Sequence, residues 1–130
     1  MNEEFHSIVQ NIFSQDARYR PGAYEFIMEG LAFAQKKFKR ERHVTGGELL
    51  EALRDLSVHK FGPLAETVLN YWGVHTTEDF GRIVFNMVEH KLLAKQDEDT
   101  FEAFRNGFDF REAFTKGYRR QLEKEIGRIK

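Results

Sequence analysis

The sequence predicts a mainly α-helical single domain spanning residues 1–130, a bundle of five to six helices with a candidate short β-hairpin near residues 92–110. Three observations predict this. Apolar residues recur at i, i+3, i+4 and i+7 as far as Leu92. Start and stop signals punctuate those runs: Thr45 with Glu48 and Thr76 with Asp79 have capping-box spacing, and Gly73 suits a helix C-terminus. After Leu92 the helical period breaks, and Phe108 and Phe110 alternate around Asp109 as in a strand.

Asn2 is a plausible N-cap, and Glu3 and Glu4 follow in the first turn, where the helix dipole favours negative charge. Phe5, Ile8, Val9, Ile12 and Phe13 fall on one face, which predicts a first helix over 3–14. The polar stretch 14–22, closing on Pro21 and Gly22, breaks it. A second helix is expected over 23–40. Its apolar residues Tyr24, Ile27, Met28, Leu31 and Phe38 lie on one stripe, with Phe26 and Phe33 on another side. A helix apolar on two sides packs against neighbours on both, so this one is placed centrally. Gly30 costs about 1 kcal/mol relative to Ala inside a helix, which predicts a close neighbour there, as Gly81 does later.

Thr45 opens a third helix that Leu49, Leu50, Leu53 and Leu56 carry to about Lys60. Pro63 fits the first position of a fourth helix over 63–72, with Leu64, Ala65, Val68, Leu69 and Trp72 as its stripe. After Gly73, Thr76 starts a fifth, with Phe80, Ile83, Val84, Met87, Val88 and Leu92 facing inward. Burial of those six side chains is worth about 10 kcal/mol gross, most of it offset by chain ordering. Trp72 and Phe80 are expected inside, where the fourth and fifth helices meet. Residues 93–96 are read as a short strand, 97–100 as a polar turn, and the chain up to about Asp109 as a returning strand or loop. A last helix runs from Phe110 to near Ile129, weakened by Gly117. Three tightly connected helices followed by such a hairpin have a winged-helix-like order of elements.

Composition narrows the function classes. The 130 residues include thirteen Phe, four Tyr and one Trp, a bulky core for one domain, and no Cys. Disulfides, thiolate metal sites and Cys nucleophiles are therefore excluded, which fits a reducing compartment. The acidic, amphipathic N-terminal stretch is unlike a signal peptide, and no apolar run approaches the roughly 20 residues that span a bilayer. A soluble cytoplasmic protein is the expectation, with no membrane role. Net charge is −1, from 20 Lys and Arg against 21 Asp and Glu, unlike the basic surface of a dedicated nucleic-acid binder. Charge is nevertheless segmented. Basic residues dominate 36–43 and 116–130, and Asp97, Glu98, Asp99 and Glu102 form an acidic patch between them. Such runs are ordinarily solvated helix ends and loops.

The runs RHVTGGELLEALRDL, FGPLAETVLNYWGV and TEDFGRIVFNMVEHKLL resemble an uncharacterised family of conserved bacterial proteins of about this length. The resemblance covers most of the chain. It implies a compact bacterial single-domain protein and carries over no catalytic residue.

Motifs for chemistry are few. Gly46 and Gly47 lack the spacing and Lys-Ser/Thr end of a phosphate loop. Glu3 and His6 have ExxH spacing, but a carboxylate-bridged di-iron bundle needs a second such pair. His75, Glu78 and Asp79 could gather around a metal, yet helix capping explains Asp79 more simply. Ser7, Ser14 and Ser57 lie in no nucleophile-elbow context. No catalytic residue, cofactor or metal site is expected. The favoured reading is a non-catalytic protein-interaction or regulatory module that holds a protein partner or a second copy of itself. Its candidate contacts are Arg18, Tyr19 and Arg20 in the first connection, with His75 and Arg82 around the start of the fifth helix. The alternative is a winged-helix-like nucleic-acid binder. It is disfavoured by an acidic wing and by a fifth helix offering only Arg82 and Lys91 to phosphate.

Overall fold

In the computed structural model, which describes residues 3–41, 43–94, 99–105 and 107–129, every regular element is helical. Helix α1 is Glu3–Gln15, α2 Pro21–Lys37, α3 Gly46–Phe61, α4 Ala65–Tyr71, α5 Thr77–Glu89, α6 Asp99–Phe104 and α7 Gly117–Ile129. A 3-10 turn, Gly62–Leu64, leads into α4, and a π-helical turn, Arg111–Lys116, leads into α7. The expected N-cap Asn2 lies outside the described residues.

Helix α2 is central, as its two-sided pattern predicts. It buries Ala23, Tyr24, Phe26, Ile27, Gly30 and Ala34 and packs against α1, α3 and α5. Gly30 marks the α2–α3 crossing: a Cβ there would lie 2.3 Å from Leu53 Cδ2, so the absent side chain lets the helices close. Gly81 is likewise buried. Two boundaries of α2 differ from expectation. Pro21 occupies the first turn instead of breaking the chain, because its missing N–H falls where no intrahelical partner exists. The helix stops at Lys37, where Lys39 turns left-handed (φ 56°) and the Arg40 amide donates to the Gln35 carbonyl at 2.8 Å.

That ending recurs. Gly73 (φ 93°) brings the Val74 amide to the Leu69 carbonyl at 2.8 Å, and Lys91 (φ 61°) brings Leu92 to Met87 at 2.8 Å. Helix starts follow the capping signals. Thr45 Oγ1 accepts from the Glu48 amide, and the Glu48 carboxylate accepts from the Thr45 amide, both at 3.0 Å. The fourth helix begins later than position 63, because Gly62–Leu64 winds as a 3-10 turn. That turn takes Leu64 off the buried stripe and leaves it 60% exposed. Phe80 is buried, and half-buried Trp72 packs against the core, its ring 5.6 Å from Phe26 and 5.7 Å from Phe61.

The expected hairpin is corrected. Among the described residues of 92–110 there is no strand, and Asp99–Phe104, read as turn and returning strand, is helix α6 packed on α3 and α5. Residues 95–98, half of the expected first strand and half of the turn, lie outside the described residues. Two anchors hold α6: fully buried Phe104, and the Thr77 hydroxyl, which donates to the Phe104 carbonyl at 2.6 Å while accepting from the Gly107 amide at 3.0 Å. The irregular Phe spacing has a structural cause. Phe108 lies in a link without regular structure and Phe110 and Phe114 at the start of and within the π-helical turn, yet their centroids lie 5.2–5.7 Å apart and Phe110 meets Phe80 at 5.9 Å. Along the last helix, residues 119–128 are exposed.

Candidate functional site

The link between α1 and α2 is short and rich in polar groups, so its conformation depends on what its side chains and backbone can bond. Asp16 collects the Arg18 guanidinium at 2.8 and 2.9 Å and the Arg18 amide at 3.2 Å, which folds the link back on itself. The Asn86 amide, reaching across from α5, also donates to Asp16 at 3.2 Å. The Arg18 side-chain bonds outweigh burial and hold the Asp16 carboxyl well below the usual carboxylate range, and Asp16 in turn raises Arg18.

This link rests on the α4–α5 turn. The Arg20 amide donates to the Trp72 carbonyl at 3.0 Å, and a Cβ on Gly73 would lie 2.0 Å from the Arg18 carbonyl oxygen. The two connections are in backbone contact. Residues 18–20 and 72–73, some fifty positions apart in the chain, are thereby brought together.

Asp79 is where they meet. Its Oδ1 accepts from the Tyr19 hydroxyl at 2.5 Å and from Arg82 Nη1 at 2.9 Å; its Oδ2 accepts from the His75 amide at 2.9 Å and the Thr76 amide at 3.2 Å. Burial pushes this carboxyl up, but the four donors together hold it below its ordinary value. Burial, and donation to a carboxylate, push the Tyr19 hydroxyl up. The Tyr19 oxygen and the Asp79 carboxylate keep Arg82 above its usual range. A carboxylate already ionised and saturated with donors is a poor general base, and a phenol with a raised pKa is a poor nucleophile. The cluster is built to hold a shape.

The candidate residues divide accordingly. Tyr19 is only 1% exposed and serves as an internal strut rather than a contact. Arg82 is half-buried and committed to Asp79. Arg18 is exposed, with its guanidinium 5.4 Å from the Tyr19 ring centroid. Arg20 is exposed, donates Nε to the Tyr71 carbonyl at 3.0 Å and stacks on the Tyr71 ring at 4.4 Å. His75 is exposed, its Nδ1 lying 3.0 Å from Asn70 Oδ1. Arg18, Arg20 and His75 thus reach the surface on a rigid support.

One further residue belongs to this face: Tyr71, 64% exposed, carries the Arg20 guanidinium over its ring. No spacing signal marks it, because its partner Arg20 is 51 residues away in the chain. Among the described residues no group of His, Asp and Glu side chains converges as a metal ion would require. No described helix is long and apolar enough to cross a membrane. No protein-family model, no curated protein and no solved structure matches the chain.

Proposed function

We propose that this chain is a non-catalytic, cytoplasmic protein-interaction or regulatory module whose contact face is formed by the α1–α2 link, the exposed side of α4 and the α4–α5 turn. The observation that carries the reading is the Arg20–Tyr71 pair. A tyrosine ring stands in solvent, clamped by a guanidinium that also bonds the tyrosine's own carbonyl. Tyr and Arg are the residue types that most often dominate binding energy at protein interfaces. A side chain already immobilised loses little further entropy on binding. Arg18 and His75 supply a polar rim. The same reading would extend to the bacterial family that the three quoted runs resemble.

The nucleic-acid alternative draws less support. It relies on Arg82, which is tied to Asp79, and on a wing for which the described residues offer a helix.

The test compares the native chain with Tyr71→Ser and Arg20→Ala, by affinity capture from a cell extract and by sedimentation equilibrium. Both substitutions are at exposed positions and should leave thermal stability unchanged. Loss of the captured partner, or of self-association, by about 2 kcal/mol in Tyr71→Ser is the expected result. Identical capture and mass profiles for all three proteins would overturn the proposal.

A further inference from the structure

A groove elsewhere on the surface shares no residue with that face. Helices α2 and α3, with the π-helical turn and the start of α7, border an open groove of about 520 Å³, within the size range of small-molecule sites. Phe33, Val58 and Ala113 supply its apolar lining, Arg54 and Arg120 its cationic groups, and His59 an imidazole. Asp55 also lines it, but that carboxylate is already bonded by Lys37, with Arg54 Nε 3.8 Å away. Among the described residues no carboxylate pairs with Arg120 or His59. The groove therefore carries net positive charge in a protein whose overall charge is −1. Its outer wall is also unusual. The turn Arg111–Lys116 follows π rather than α winding, and Ala113 and Gly117 line the groove from that stretch. Such turns are rare and concentrate at functional sites.

We propose that this groove binds a small amphiphilic anion, with an aromatic or aliphatic body against Phe33, Val58 and Ala113 and a phosphate or carboxylate head paired with Arg54 and Arg120. Both arginines can present two parallel N–H donors to such a head, a geometry that a lysine cannot supply. The apolar lining makes the body, and not only the charge, a determinant of affinity.

The test is an amide-resolved NMR titration of the full chain with phenyl phosphate and with benzoate, against inorganic phosphate and phenol. Saturable shifts at Val58, Ala113, Gly117 and Gln121 are expected from at least one of the two amphiphiles, and the stronger of them identifies the head group. Phenol and inorganic phosphate, each lacking half of the ligand, should bind about tenfold or more weakly. The double variant Arg54→Gln/Arg120→Gln, changed only at exposed side chains, should lose about tenfold in affinity while keeping the native spectrum elsewhere. No saturable shift with either amphiphile at about 10 mM overturns the proposal. So does equal binding by inorganic phosphate, or unchanged affinity in the double variant.

Discussion

Asp79 illustrates how much one residue can organise once burial removes water as an alternative partner. Its carboxylate takes a side-chain donor from the α1–α2 link, one from α5 itself and two backbone amides from the turn before α5. Removing its charge leaves those donors facing a weaker acceptor, so Asp79→Asn should destabilise the fold by about 2–4 kcal/mol at neutral pH, measured by urea denaturation. The pH dependence follows from the lowered pKa. A group whose folded-state pKa lies below its unfolded value contributes its full stability above the unfolded pKa and loses it as pH falls through the folded one. The gap between native protein and Asp79→Asn should therefore be widest above about pH 5 and narrow below about pH 4. A gap that stays constant down to pH 3 would show that the charge is not what matters.

At the scale of elements, helix ends decide where the chain turns. Four helices close on or just before a residue of positive φ, and two of those residues, Lys39 and Lys91, are not glycine. Gly73 has two reasons to be glycine, its φ of 93° and the Arg18 carbonyl 2.0 Å from where a Cβ would sit. Gly73→Ala should accordingly cost about 3 kcal/mol or more, since neither backbone can yield without separating the two connections. Gly47, in the first turn of α3, has nothing within 4 Å of its would-be Cβ. Gly47→Ala should raise stability by about 0.5–1 kcal/mol, because only the unfolded chain loses freedom. Opposite shifts in thermal midpoint for these two substitutions are the expected readout.

For the molecule as a whole, the C-terminal third is joined to the core through aromatic rings and not through a sheet. Phe104, Phe110 and Phe114 are buried, whereas residues 119–128 are exposed. Deleting 122–130 should therefore change unfolding free energy by no more than about 0.5 kcal/mol. Ending the chain at Asp109 removes Phe110 and Phe114 from contact with Phe80 and Phe108 and should cost about 3–5 kcal/mol per ring, enough to unfold a domain of ordinary stability. Circular dichroism and thermal melts of the two truncations distinguish these outcomes.

Periodicity and capping were sufficient to read α1 to α5, because those signals are local: a stripe at helical spacing, a Thr three residues before a carboxylate, a Gly at a turn. The central place of α2 and the close approach at Gly30 were legible for the same reason. Local rules failed where distant partners chose the backbone. Residues 99–104 became helix because Thr77 and the core accept Phe104 there, and Leu64 left its stripe because a 3-10 turn shifts the register between α3 and α4. The candidate contacts were individually visible as loop arginines, a loop tyrosine and a histidine, but their separation into struts and surface groups was not. That separation depends on Asp79, whose spacing announces a helix cap and nothing more. By itself the chain determined its helices and most of their ends. Only packing decided which polar groups Asp79 draws inward, which it leaves on the surface, and where the last helix stands relative to α2 and α3. Hydrogen-bond saturation and the burial of phenyl rings compare groups that are remote in sequence, and no local pattern records that comparison.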